Sequence, residues 1–394
     1  MMLLRSILIS LCCVFAFNTT VNANALSTFS QLKNSGLLVV NQQGQLLKAD
    51  NNKRAFIPAS TTKIVTAWLA LERWGENHRF VTDFYYDPGT YTLSVKGSGD
   101  PFLVSEELAI IAARLRQLGL SRVDKIVLDG SRFKQGLILP GTSKTNNPYD
   151  AVPSALAANF NTVNLKKVNG KVLSAEKQTP LTAYAKSMGK GFKKKLRVNT
   201  GRDPRNAERY FGELLRAFLK AQGIAVANNL VSGAVPQLAP YYQHYNSRTL
   251  GDMIRPMMKY STNFIANQLV LIMSSEHYGR AANASDVKRY MEDSLKTAFN
   301  WRGFSFSEGA GLSRQNRISP EQLVHLLQRF RQWRHLLPEV ESGVFAKSGT
   351  LKKVSTLAGY IVKNGEWQPF ALMMNQSVPY KLRNQIAKAL RSTL

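Results

Sequence analysis

Strand-like runs stand at both ends of this 394-residue chain, with helical patterns between them. Near the start, Gly36-Leu-Leu-Val-Val-Asn and Gln45-Leu-Leu-Lys-Ala-Asp flank a Gln-Gly turn, a hairpin signal. Near the end, Val344–Lys347, Leu357–Val362 and Trp367–Met374 read as strands. The last two are joined through Asn364-Gly365, the pair that best supplies the positive φ angles of a tight hairpin turn. This arrangement predicts one discontinuous sheet domain, closed by a helix over Asn384–Leu390.

Between the ends the pattern changes. Ala59–Trp74 has helical spacing, with Ile64, Val65, Trp68, Leu69 and Leu71 on one apolar face and Gly75 as a stop. Phe80–Val95 holds short β-like runs broken by Asp87-Pro88-Gly89. Ser105–Leu118 reads as a helix capped by Ser105 and stopped at Gly119. Val123–Leu128 reads as a buried strand, and Ala207–Gln222 as a helix closed by Gly223. The stretch 161–200 carries ten Lys or Arg against one acid, Glu176, and reads as a solvated basic excursion. Helical spacing returns over Leu250–Lys259, Phe264–Met273 and Asp286–Phe299. Such a length suits two or three domains.

The first residues read as a signal peptide, residues 1–23. Arg5 supplies the positive start, Ser6–Phe17 the apolar core, and Val21-Asn-Ala23 or Ala23-Asn-Ala25 the small residues for cleavage. Both cysteines, Cys12 and Cys13, fall in that core, so the exported chain is expected to have no disulfide, thiol nucleophile or thiolate metal site. The formal charge is +27, a field that attracts polyanions. Export to the periplasm argues against nucleic acid and for anionic wall glycan, acidic peptide stems or lipid headgroups; a merely solubilising charge fits as well.

Three short motifs carry chemistry. S-x-x-K alone says little, since it occurs at Ser30, Ser60, Ser131, Ser174, Ser187 and Ser285. Only Ser60-Thr-Thr-Lys63 opens an apolar helix directly after a hairpin. Residues three apart share a helix face, so Lys63 can reach the Ser60 hydroxyl. A serine needs a base beside it, and a lysine serves if desolvation or a nearby cation lowers its pKa. The helix start offers free N–H groups to a developing oxyanion. S-x-N occurs once, at Ser261-Thr-Asn263, and K-[ST]-G once, at Lys347-Ser348-Gly349, followed by Thr350. Taken singly, Ser60 and Ser261 could be helix caps and Lys347 an exposed strand residue. The three in this order match the signature of penicillin-binding proteins and serine β-lactamases. No G-x-S-x-G, H-E-x-x-H or Walker loop competes, and the five histidines show no metal spacing.

On these motifs the chain resembles the low-molecular-mass class C penicillin-binding proteins, D-alanyl-D-alanine carboxypeptidase/endopeptidases. The likeness extends to Gly97-Ser-Gly-Asp-Pro-Phe-Leu, Leu128-Asp-Gly-Ser-Arg-Phe, Pro148-Tyr-Asp150 through Asn161, and Gly309-Ala-Gly-Leu-Ser-Arg-Gln-Asn-Arg-Ile-Ser-Pro320. It implies an α/β (α+β) fold: a β-lactamase-like transpeptidase domain, an antiparallel sheet with helices on both faces plus a helical subdomain, split by a mainly β inserted domain. The expected division is 26–76 with 245–394 for the DD-peptidase domain and 77–244 for the insertion. Roughly two hundred residues separate Ser60 from Ser261, far more than a β-lactamase has. The short span from Asn164 to Arg197 implies that the family's nested subdomain is reduced or missing. Two departures stand out: Glu308-Gly-Ala310-Gly where Asp-Gly-Ser-Gly is usual, and Ser348 for the commoner threonine.

The resemblance assigns roles. Ser60 is the nucleophile and Lys63 its base. Ser261 relays a proton to the leaving amine with Lys347 nearby, and Asn263 holds the substrate amide. Lys347, Ser348, Gly349 and Thr350 receive the terminal carboxylate, with the N–H groups of Ser60 and Thr350 as oxyanion hole. Asp150 and Arg314 are further binding candidates. No metal or organic cofactor is implied. The implied partners are peptidoglycan peptide stems, and β-lactams as covalent inhibitors. Two rivals stay open: a β-lactamase, and a non-catalytic wall-binding protein on the same fold.

Overall fold

The computed structural model describes residues 24–394, so the expected signal peptide and both cysteines lie outside the described residues. The chain folds as two compact units. Within the described residues, the first holds the chain up to Trp68, Asn300–Ser305 and Arg314–Leu394; the second holds Leu69–Phe299 and Phe306–Ser313.

The first unit is built on a six-stranded antiparallel sheet. Its order is Glu339–Glu341, Val344–Leu351, Val354–Lys363, Glu366–Met374, Ser35–Val40 and Leu46–Asp50. The C-terminal meander meets the N-terminal hairpin in register, with Leu37 opposite Leu372 and Val39 opposite Phe370. Asn364 and Gly365 have φ of 51° and 80°, and the strand pairing closes directly across them at Lys363 and Glu366. Alternation then sorts the side chains. Leu37, Val39, Leu357, Ile361, Phe370 and Leu372 pack with Ile386 and Leu390 of the helix Leu382–Thr393. Each such buried side chain contributes about 1.5–3 kcal/mol. Tyr360, one residue before Ile361, turns to the opposite face. There its hydroxyl donates to the Leu327 carbonyl at 2.5 Å, in the helix Pro320–Phe330, which starts in a Ser319/Gln322 capping box. Helices therefore cover both faces of an antiparallel sheet.

The second unit centres on a five-stranded sheet ordered Leu230–Ser232, Lys125–Asp129, Thr92–Lys96, Val81–Asp87 and Tyr242–Tyr245. The strand that enters the stretch 77–244 and the strand that leaves it are antiparallel neighbours, Thr82 facing His244. Helices Ser105–Gln117 and Pro204–Ala221 bury Leu108, Ile111, Leu115, Phe211, Leu214 and Leu215 with Leu93, Val95, Ile126 and Leu128. Ser105 is not the cap expected of it. It is the first helical residue after Val104, and Asn159 takes over the capping: its Oδ1 accepts from Ser105 N at 2.9 Å. The basic stretch forms a small sheet ordered Lys171–Ser174, Thr162–Val168 and Lys195–Asn199, with the helix Ala183–Met188.

Helices Leu250–Tyr260, Asn263–Tyr278 and Ala284–Phe299 pack with the second unit, although the motif-based division assigns them to the sheet domain. The cause is local. Gln268 Nε2 donates to the carbonyls of Gly99 and Ser154 at 2.8 and 3.0 Å, and Phe264 packs on Ala151, Ala157 and Phe160. Among the described residues no helix is long and apolar enough to cross a membrane.

A buried carboxylate anchors the C-terminal end of the stretch 77–244. Glu107, fully buried, accepts from His244 Nε2 at 2.8 Å, from Ser247 N at 3.1 Å and from the Ser247 hydroxyl. Burial alone would raise its pKa, but the hydrogen bonds from His244 and Ser247 outweigh that and hold it below the usual range. Glu107→Ala strands these donors in the interior. It should cost about 3 kcal/mol or more, measured by urea denaturation; a cost under about 1 kcal/mol would refute this tie.

Candidate active site

Ser60 lies in a 3-10 turn, Ala59–Thr61, that runs into the helix Thr62–Trp74. The turn is anchored from three sides. Ile57 N donates to Asn375 Oδ1 at 2.7 Å, and Asn375 Nδ2 donates back to the Ile57 carbonyl at 3.1 Å. The Pro58 carbonyl accepts from the hydroxyls of Thr61 and Thr356, each at 2.8 Å. Ala59, buried, has φ of 48°, a left-handed conformation that costs a non-glycine residue about 1–2 kcal/mol. The anchors hold that strain, and it aims the next residue outward: Ser60 is part-exposed while Thr61 and Thr62 are buried. Lys63, fully buried, extends Nζ to 3.1 Å from Ser60 Oγ. The three-residue spacing therefore delivers the contact expected of it.

The third motif meets this turn within the same unit. Lys347–Thr350 lies on the strand Val344–Leu351. A Cβ on Gly349 would come within 2.8 Å of both the Ser60 N and the Pro58 carbonyl, so the motif's glycine is what permits the contact. Lys347 is 2% exposed and donates to the Ser348 carbonyl at 2.7 Å. Burial, and then the nearby Arg383 cation, push its ammonium down to about 8. Arg383, from the C-terminal helix, donates to the Gly349 carbonyl at 2.9 Å and to the Thr350 hydroxyl at 2.6 Å. On one side Lys347–Thr350 pairs with Ser355–Ala358. On the other, the strand Glu339–Glu341 pairs with Val344 and Phe345, and Ala346 N donates to the Pro338 carbonyl at 3.0 Å. Arg314, exposed, donates to the Lys352 carbonyl at the turn that follows Thr350.

Ser261 and Asn263 belong to the second unit. Ser261 ends the helix Leu250–Tyr260 in the left-handed conformation, φ 56° and ψ 42°. Thr262 is the next N-cap, and Asn263 opens the helix Asn263–Tyr278. Asn263 Nδ2 donates to the Tyr149 carbonyl at 3.0 Å. The turn Pro148–Asp150 thus docks on the second motif and brings Asp150 beside it. Asp150 is 3% exposed and accepts from the Thr145 hydroxyl. The departure at Glu308 also has a local reason: its buried carboxylate accepts from the N–H groups of Ala310, Gly311 and Ser313 at 2.8, 2.8 and 3.2 Å and folds the loop around itself.

One unit therefore unites Ser60, Lys63, Lys347–Thr350 and Arg314, and the other unites Asn263, Ser261 and Asp150. Arg383, Thr356 and Asn375 were invisible to motif reading. None belongs to a motif, and each acts on a main-chain group far away in sequence.

A model of the D-Ala-D-Ala carboxypeptidase 3 (S13) family matches residues 21–191 and 191–338. The chain is 24% identical to the D-alanyl-D-alanine carboxypeptidase of Actinomadura sp. (strain R39), over 88% of this chain and 81% of that protein. It is also 24% identical to DacB of Haemophilus influenzae, over 92% and 90%. The crystal structure of penicillin-binding protein 4 from Haemophilus influenzae superposes with a TM-score of 0.75 at 21% identity, over 94% of this chain and 98% of that one, and shows the same fold. The chain belongs to the D-Ala-D-Ala carboxypeptidase 3 (S13) family of serine-type carboxypeptidases.

Proposed function

We propose that this carboxypeptidase acts through an acyl-enzyme on Ser60, on D-Ala-D-Ala and D-Ala-meso-diaminopimelate bonds of periplasmic peptidoglycan, and that β-lactams trap it there. The Lys63 amine 3.1 Å from the Ser60 hydroxyl carries the reading. Ser60 Oγ bonds to the substrate carbonyl carbon as its proton passes to Lys63 Nζ. The C–N bond breaks, and the leaving amine takes a proton through Ser261. Water then cleaves the ester and restores the serine. Asn263 holds the substrate amide, and the N–H groups of Ser60 and Thr350 stabilise the oxyanion. The Ser60 turn seated against Gly349 supports that pairing of donors. The strand edge beyond Ala346 suits an extended peptide added alongside Lys347–Thr350. Asp150 and Arg314 are proposed to position substrate. In chain order, 26–76 and 245–394 make the DD-peptidase domain and 77–244 its insertion.

An anionic envelope surface is a further proposed partner. Lys171, Lys177, Lys186, Lys190, Lys193, Lys194, Lys195 and Arg197 are all exposed around the small sheet, and none has an ion-pair partner among the described residues. Such a field binds polyanions through screened attraction.

Fluorescent penicillin should label the folded protein at Ser60. Ser60→Ala should abolish the label and lower D-alanine release at least about 1,000-fold. An unlabelled wild type, or rapid turnover of a chromogenic β-lactam, would defeat the reading in favour of the wall-binding or β-lactamase alternative. Lys347 loses its charge as pH rises through about 8, so KM for a substrate with a free terminal carboxylate should rise about tenfold from pH 7 to 9. A C-terminal amide analogue should lack that rise; equal behaviour of the two would remove Lys347 from carboxylate binding. Retention on isolated sacculi should vanish by about 0.5 M salt and weaken when Lys193, Lys194 and Lys195 become Glu. Salt-independent retention would exclude the charge mechanism.

A further inference from the structure

The second unit contains a cavity of about 440 Å³ that none of the three motifs lines. Leu128, Phe133, Pro153, Ala155 and Ala234 give it mainly apolar walls, and Glu208 reaches it from the first turns of the helix Pro204–Ala221. The Glu208 carboxyl lies over Gly130, where a Cβ would come within 2.0 Å of Oε1. The glycine leaves the space that the acid fills.

The charged groups around Glu208 are already engaged. Asp129, at the end of the neighbouring strand, accepts from Ser131 N and Val235 N, each at 3.0 Å. Asp203 and Arg205, at the helix start, hold each other through a 2.6 Å ion pair. Arg209, one turn on, pairs with Glu213. Lys134 lines the cavity from an exposed position. Glu208 itself has no hydrogen bond or ion pair among the described residues. Burial first, then repulsion from Asp203 and Asp129 against the pull of Arg205, raises its carboxyl to about 7. Glu208 is half-buried, so its carboxyl is partly withdrawn from water yet still open to a ligand in the cavity.

We propose that this cavity binds a small organic amine, its apolar body against the aliphatic walls and its ammonium on the Glu208 carboxylate. A carboxylate ligand would meet Glu208 and Asp129, with Lys134 as the one lining cation not already paired with an acid. A neutral alcohol could share a hydrogen bond but would gain nothing from the charge. This binding site stands independently of the acyl-enzyme reading.

Calorimetry on the full chain with n-hexylamine, 1-hexanol and hexanoate tests the inference. Hexylamine stays cationic at both pH 6 and pH 8, while Glu208 ionises between them. Its affinity should therefore rise about tenfold from pH 6 to pH 8. Hexanol and hexanoate should bind at least about fivefold more weakly at pH 8. Glu208→Gln should weaken hexylamine binding to the level of hexanol and erase its pH dependence, with an unchanged circular-dichroism spectrum and cooperative thermal unfolding as the sign of a folded chain. Should that variant not fold, Ala281→Phe at the half-exposed rim should block hexylamine in the same way. Equal binding of amine and alcohol at pH 8, a pH dependence that survives Glu208→Gln, or no binding of any of the three would each overturn the proposal.

Discussion

The candidate chemistry depends on one close approach of main chain to main chain. The Ser60 turn sits so near the strand Val344–Leu351 that residue 349 has no room for a side chain. Lys347 and Ser348 precede that point and Thr350 follows it, so a contact at Gly349 fixes where the flanking groups stand. The same contact explains why the turn is pinned so firmly. Asn375 and Thr356 each satisfy a main-chain group of the segment Ile57–Pro58, and both come from the C-terminal meander. The left-handed Ala59 survives because these anchors leave the chain no other course.

The long insertion is reconciled with this compactness by how it begins and ends. A loop of this length would cost little extra closure entropy over a shorter one, but it would not by itself define where its ends lie. Pairing of Val81–Asp87 with Tyr242–Tyr245 does define it, and Glu107 anchors the returning segment through His244 and Ser247. The chain that leaves after the Ser60 helix thus returns next to its own exit before it builds Ser261 and Asn263. Asn263 in turn holds the Pro148–Asp150 turn, so the insertion supplies structure to the second motif as well as distance from the first.

Much of this was readable from sequence because it rests on periodicity and turn chemistry. Asn364-Gly365 announced its hairpin, and the terminal strands announced a shared sheet. The Ser60–Lys63 contact follows from three-residue spacing alone. What sequence concealed depends on partners distant in the chain. Arg383 sits in an ordinary amphipathic helix, and only its reach to Gly349 and Thr350 gives it a role. Ser105 carries the right chemistry for a cap, yet the buried Asn159 side chain outcompetes it. Ser261 gives no local hint of its left-handed backbone, since serine has no preference for that region of the kind glycine and asparagine show. The compact units also cut across the motif-based division, because Gln268 and Phe264 find their partners in the inserted stretch.

The burial of Lys63 and Lys347 then becomes an argument about purpose. Both side chains are almost wholly withdrawn from water. A methionine or leucine of similar volume would pack there without the cost of sheltering an amine. For Lys347 that cost is visible as an ammonium pushed down to about 8, with a second cation, Arg383, close by rather than a carboxylate to relieve it. A fold selected for stability alone has no reason to set two cations together inside a sheet domain. The proposed binding of an anionic chain terminus would give one, because the ligand would supply the missing negative charge. The same logic reads Ala59 and Ser261 together. Two of the left-handed non-glycine residues stand at or beside a serine of the motifs, at the hydroxyls proposed to act on substrate.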